Sequence, residues 1–249
     1  MKNNILLHIP HSSTYIPEDL LGMFTVSKET LDHELLVMTD RYTDELFDCS
    51  DNRIVFPVSR LICDVERFRE KDMETMTSKG MWVCYENTSE LTPLKRVSRE
   101  HASCVLEHYY DMHHKALTEA AAHTKDLCGN VLIIDCHSFS PLPLPYEDDR
   151  TADRPDICIG TDDFHTPRTV SDTLVKAFSE MGYRVSINSP YSGSLVPMAY
   201  WRKDPSVMSV MIEVNRKLYM DGTTGEKLKG FDTVRDHIGK ALSLCYPMI

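Results

Sequence analysis

The chain of 249 residues is long enough to bury a full hydrophobic core without disulfides or structural metals, and its 42% hydrophobic and 26% charged fractions exclude disordered and fibrous classes. Its formal charge of −11 disfavours nucleic acid and anionic membrane as partners, because both need a clustered positive surface. No apolar run approaches the roughly 18 residues of a membrane span, and the opening Met1-Lys2-Asn3-Asn4-Ile5 carries no secretory h-region, so a soluble cytoplasmic protein is expected.

Short apolar runs alternate with helical patterns from end to end. Residues 4–10 form a compact apolar run stopped by Pro10, which predicts a buried strand. Leu31, Leu35, Met38, Tyr42 and Leu46 recur at helical spacing and predict one amphipathic helix over 28–48, with Ser27 as N-cap. Two runs rich in β-branched residues, 53–58 and 61–65, predict strands. Residues 66–96 lose periodicity around the short run Trp82–Tyr85, which predicts a long functional loop or lid. A long helix is predicted from Ser98 to about Lys125, with Ala102, Val105, Tyr109, Met112, Ala116 and Ala120 on its buried face. The run 131–135 reads as a central strand covered on both sides. After a Pro-rich loop at 141–145, a strand is expected at 157–160. A helix follows, capped by Thr166 with Pro167 at its first position and closed by Gly182. Strands at 183–187 and 209–214 and a helix at 234–244 complete the pattern. It predicts a single α/β domain over 1–249: three layers, with a mixed, mostly parallel sheet and helices on both faces.

Ligands of such sheets bind beyond the carboxyl ends of the strands, so the residues at those ends carry the functional argument. Histidine is in excess, at 11 residues, and it collects there with carboxylates: His8 and His11, Asp64 and Glu66, Asp135 and His137, and Glu213. Three N/O protein ligands with a place left for water make a mononuclear zinc hydrolase, in which the metal lowers the water pKa to roughly 7. His11 and His137, each expected in a turn just after a strand, are the leading ligands. His8 points the other way and reads as structural. Asp135 is placed to orient a ligand imidazole from behind, or to cap a loop. The third ligand stays open: Asp40 and Asp44 lie four apart on the expected first helix, where a solvated face is the plainer reading. Glu213, inside Val210-Met211-Ile212-Glu213-Val214, suits a general acid or base, or else a buried partner for an arginine. Ser12, Ser13 and Ser138 neighbour histidines, but no Gly-x-Ser-x-Gly elbow is present. The eight cysteines are evenly spread with no Cys-x-x-Cys, which predicts reduced thiols; Cys63 and Cys136 read as core filler.

Seven segments, in this order, resemble the N-formylglutamate amidohydrolase family. They are Pro10-His11-Ser12-Ser13-Thr14, residues 39–44, residues 60–67, Asp135-Cys136-His137-Ser138, Ile159-Gly160-Thr161, residues 188–193 and residues 213–221. The resemblance implies a fold like that of zinc carboxypeptidases and aspartoacylases, one zinc ion, and a small N-acyl amino acid as substrate. It implies His11, His137 and Asp40 as ligands, Asp64 and Asp135 behind them, and Glu213 as the acid/base. Arg60, Arg67 and Arg216 are the candidate anchors for substrate carboxylates, since guanidinium groups bind them bidentately, or else surface or internal ion-pair partners. Asn188 and Tyr191 are expected to add hydrogen bonds, or else to serve the turn they sit in. The family more often has Gly at Ser13, Trp at Arg41, Asn at Glu66 and Gly at Ser194. Arg41 and Glu66 thus change charge near the expected site.

Overall fold

A computed structural model describes residues 4–245. The first apolar run is β1 (Ile5–Ile9), followed by α1 (Lys28–Met38), α2 (Thr43–Leu46) and the short edge strand β2 (Arg53–Val55). A long helical stretch comprises α3 (Arg99–Val105), a π-turn (Leu106–Tyr110) and α4 (Asp111–Cys128). Then come β3 (Val131–Phe139), β4 (Ile157–Gly160), α5 (Arg168–Glu180), β5 (Val185–Ile187), β6 (Val207–Asn215) and α6 (Phe231–Ser243). The sheet order is β2-β1-β3-β6-β4-β5, and the β4–β6 pair is antiparallel while the others run parallel. This is the expected mixed, mostly parallel α/β fold.

Alternation along the strands sets the layers, because successive side chains point to opposite faces. Leu6, Val131, Ile133 and Val207 bury against Leu117 and Ala121 of α4. Leu7, Leu132, Ile134, Val210 and Ile212 bury on the other face against residues of α2, α5 and α6, including Leu46, Leu174 and Ile238. Every residue of β3 and of β6 is buried, as a strand covered on both sides requires.

Four local expectations are corrected. The helix expected over 28–48 stops at Met38, although Ser27 caps it as predicted, accepting from the Thr30 N–H. It breaks because the Asp40 N–H donates to the His11 carbonyl at 2.9 Å and Tyr42 takes a left-handed φ of 67°. Residues 61–65 are turns, not a strand. The N–H groups of Ile62 and Cys63 both reach the Ser59 carbonyl, and the buried Lys95 ammonium takes the Leu61 carbonyl. The long helix forms, but its π-turn inserts one residue, and the buried face moves from the expected Met112, Ala116 and Ala120 to His113, Leu117 and Ala121. Met112 is left 58% exposed. Finally, α5 starts one residue later than expected, with Pro167 in the cap position, while the Thr166 hydroxyl donates to the Ser209 carbonyl at 2.6 Å.

The region 66–96 has a 3₁₀ turn (Thr75–Lys79) and isolated bridges, and its run Met81–Tyr85 is fully packed. None of the eight cysteines is in a disulfide, and Cys63 and Cys136 lie in the core. Among the described residues no helix is long and apolar enough to cross a membrane.

Candidate metal centre and active site

The face of the sheet that α4 covers is apolar near the start of the strands and turns polar toward their ends. Along β3 the sequence on that face runs Val131, Ile133, Asp135, His137; along β6 it runs Val207, Ser209, Met211, Glu213. His8 of β1 shares this face and meets His113 of α4, Nε2 to Nε2, at 2.8 Å. His137 therefore lies within β3, not in a turn after it, and Glu213 stands beside it in register across the β3–β6 pair. His11 comes two residues beyond β1. Asp40 lies in the break between α1 and α2, not on a solvated helix face.

His11, Asp40 and His137 are all buried, and their ligand atoms lie within 4.8 Å of one another. Asp40 Oδ2 is 3.2 Å from His137 Nδ1 and 3.7 Å from His11 Nδ1. Each imidazole is held from behind by a carboxylate: His11 Nε2 on Asp64 Oδ1 at 2.9 Å, and His137 Nε2 on Asp135 Oδ1 at 3.1 Å. A carboxylate accepts, so each Nε2 carries a proton, and each Nδ1 faces Asp40 as an N–H donor or, once that proton is lost, as a lone pair open to a cation. His11 Nδ1 is buried with no hydrogen-bond partner. With both Nδ1 protons lost, two imidazole lone pairs and a carboxylate oxygen converge within 4.8 Å, the place a divalent cation would take. The set of two imidazole nitrogens and one carboxylate suits zinc.

Burial alone would raise the Asp40 carboxyl, but His11, His137 and the Arg216 guanidinium outweigh it and hold it well below the usual range. Asp64 behaves alike: Arg60, His11 and Arg67 overcome its burial. Both remain anionic. A second group, His8, Glu66 and Asp135, meets the same spacing. Its imidazole is already committed, however, with Nδ1 on Asp135 at 2.9 Å and Nε2 on His113.

The cluster forms the floor of a cavity of about 440 Å³ that also exposes Glu213, Arg60, Arg67, Arg216, Lys79 and Tyr191. Among the described residues Glu213 makes no ion pair within 4.0 Å, so it is not paired to an arginine there. Its Oε2 is buried without a hydrogen-bond partner, and burial pushes its carboxyl up to about 8. The three arginines differ. Arg216 is committed: Nη2 donates to Asp40 Oδ1 at 2.7 Å, Nε to Ser138 Oγ at 3.1 Å and Nη1 to the Val37 carbonyl. Arg60 donates to Asp64 at 2.7 Å and to the Tyr85 hydroxyl at 3.1 Å. Arg67 is held most loosely, at 3.5 Å from Asp64 and 3.9 Å from Glu74.

Tyr191 lines the cavity and donates to Glu147 at 2.9 Å. Asn188 does not line it. Its amide bonds the backbone and hydroxyl of Thr161, both at 2.8 Å, so it holds a turn. Arg41 also lies outside the cavity, under Gly225, whereas Glu66 is on its wall. Of these two charged residues, only Glu66 faces the site. Sequence reasoning missed Tyr85, whose hydroxyl donates to Asp64 at 2.5 Å, and the buried Arg154–Glu147 pair that ties down the Pro-rich loop. Tyr85 sat in the aperiodic region, and no local pattern marked it.

A sequence profile of the N-formylglutamate amidohydrolase family matches residues 3–220. The fold is similar to the crystal structure of N-formylglutamate amidohydrolase from Ralstonia eutropha JMP134, with a TM-score of 0.82 at 21% identity over 98% of this chain and 93% of that one. It is also similar to gene product Atu2144 from Agrobacterium tumefaciens, with a TM-score of 0.66 at 18% identity over 98% and 92% of the two chains. Among curated proteins none matches. The match over most of the chain, with the site residues inside the matched span, establishes that this chain belongs to the N-formylglutamate amidohydrolase family.

Proposed function

We propose that the protein is a zinc-dependent amidohydrolase that cleaves the amide bond of an N-acyl amino acid such as N-formylglutamate. The observation that carries this reading is the convergence of His11, Asp40 and His137 beside Glu213, a buried carboxylate with an unpartnered oxygen. Bound by those three residues, zinc would supply Lewis acidity, polarising the carbonyl and acidifying a water molecule.

The remaining work falls to the chain itself. Glu213 is raised to about 8 by burial, so its carboxyl can both take and return a proton near neutral pH. It accepts the proton of the attacking water as the oxygen bonds the carbonyl carbon. It then delivers that proton to the leaving nitrogen as the C–N bond breaks. Arg67 is the cation on the cavity wall best placed to hold a substrate carboxylate, because Arg216, Arg60 and Lys79 are engaged by Asp40, Asp64 and Asp148.

Release of formate and glutamate from N-formylglutamate tests the reading, measured before and after chelation. Activity is expected to vanish with chelator and to return with zinc. Failure to hydrolyse any member of an N-acyl amino acid panel, with zinc present, overturns it in favour of a binding protein.

The carboxylates behind the imidazoles give a second expectation. Asp64 accepts from His11, Arg60, Tyr85 and the Glu66 N–H, so it fixes the ring orientation. Asp64→Asn places an NH₂ either against His11 and the Glu66 N–H or against Arg60 and the Tyr85 hydroxyl, so one side of this network loses its acceptor, and zinc affinity should fall about 10–100-fold. Competition with a chromophoric chelator measures this.

A further inference from the structure

The π-turn of the long helix exchanges an apolar contact for a polar one. Even 3.6-residue spacing would turn Met112 toward the sheet; with the extra residue, Met112 is 58% exposed and His113 is 6% exposed. A buried polar group costs stability unless it is bonded, so the exchange gains nothing as packing alone. π-turns of this kind frequently mark functional sites. Here the imidazole that the turn brings inward is held edge-on against Phe56, with ring centroids 5.0 Å apart.

From His113 a chain of hydrogen bonds runs to a metal ligand. His113 Nε2 is 2.8 Å from His8 Nε2, His8 Nδ1 is 2.9 Å from Asp135 Oδ1, and the same oxygen is 3.1 Å from His137 Nε2. The carboxylate at its centre accepts, so His8 carries its proton on Nδ1. Burial lowers both outer imidazoles, His113 to about 2, so near pH 7 both are neutral. His8 Nε2 is then a lone pair, and His113 donates to it. Asp135 Oδ2 accepts from the Leu195 N–H at 2.9 Å, which ties down the second oxygen. The same stretch of helix braces the turn that carries Asp64: the Tyr110 hydroxyl donates to the Arg67 carbonyl at 2.7 Å, and His114 Nε2 to the Val65 carbonyl at 2.9 Å. Asp135, Tyr110 and His114 line a second cavity of about 870 Å³, which shares Glu66 and Arg67 with the first. None of His11, Asp40, His137 and Glu213 lines it, so this brace stands behind the metal centre, away from the polar cavity.

We infer that His113 is a positioning residue for the metal centre: by donating to His8 it holds the His8 proton on Nδ1, and through Asp135 it fixes the orientation of the ligand His137. This inference rests on the reading of His11, Asp40 and His137 as zinc ligands. Without the donor, His8 can move its proton to Nε2 and turn a lone pair on Asp135. His137 then loses the fixed acceptor behind it.

Three variants separate this role from plain packing. His113→Leu fills the space and removes the donor; zinc affinity, measured by competition with a chromophoric chelator, should fall about tenfold, the low end for a partner beyond the ligands themselves. His113→Gln can present an amide N–H where Nε2 stood and should recover most of that affinity. Leu117→Ala, one turn along the same helix face, opens a core cavity against Leu6 and should lower the melting temperature while leaving zinc affinity unchanged. Histidine nitrogen NMR of the zinc-free protein reads the tautomer directly: His8 should be the Nδ1–H form in wild type and a mixture in His113→Leu. His8 in the Nε2–H form in wild type, or zinc bound as tightly by His113→Leu as by wild type, overturns the positioning inference and leaves the amidohydrolase reading standing. An equal loss of affinity in Leu117→Ala overturns it too, since packing would then account for both. A wild type that binds no zinc overturns the metal reading and the inference together.

Discussion

Glu213→Gln should lower kcat about 10²–10⁴-fold, the usual contribution of a general acid–base group, with little change in KM or in zinc content. The substitution keeps the shape of the side chain and removes only its ability to carry a proton. No hydrogen bond to Oε2 is lost, because none exists, and no ion pair is broken. The carboxyl has been raised by burial, so replacing it with a neutral amide carries no desolvation penalty and the fold should be as stable or slightly more so. That combination separates the two roles open to a buried glutamate. A structural residue would change stability and leave kcat alone; a proton carrier does the reverse. Steady-state kinetics and a thermal melt on the same preparation decide between them. Unchanged kcat in a zinc-loaded Glu213→Gln variant would sink the assigned role.

The sheet and half of the site were legible because period-two alternation is a local signal. Val131, Ile133, Asp135 and His137 share a face by parity alone, as do Met211 and Glu213, and a polar switch on one face of an otherwise buried strand marks a site without any knowledge of partners. What failed was set by distant groups. Asp40 looked like a helix-surface residue until the His11 carbonyl, 29 positions earlier, took its N–H and broke the helix. Residues 61–65 have strand composition but are pulled into turns by Lys95, more than 30 positions away. The π-turn inverted the expected burial of Met112 and His113 by adding one residue, which a fixed 3.6 period cannot anticipate. Asn188 and Arg41 lay in segments resembling the family, yet resemblance of a segment does not say which way each side chain points. The opposite holds for Glu66, which places a carboxylate between the two cavities.

One zinc ion per chain should bind, and it should raise the melting temperature in a concentration-dependent way. A ligand that binds only the native state stabilises by RT ln(1 + [L]/Kd), about 4 kcal/mol at a thousandfold excess over Kd. In His137→Ala the donor set falls from three to two, so both the stoichiometric binding and the stability increment should disappear. Asp40→Asn should lose the increment as well, but for two reasons that calorimetry can separate. Its carboxylate faces His11 and His137, and its other oxygen holds the buried Arg216 guanidinium at 2.7 Å. Removing one partner of a buried ion pair leaves the other uncompensated, at a cost of about 3–5 kcal/mol. Asp40→Asn and His137→Ala should therefore both melt lower than wild type even in chelator, since His137 bridges the buried Asp40 and Asp135, and both should in addition lose the zinc-dependent increment. If zinc instead stabilises His137→Ala as much as wild type, the ion is bound elsewhere, and His8, Glu66 and Asp135 become the group to mutate.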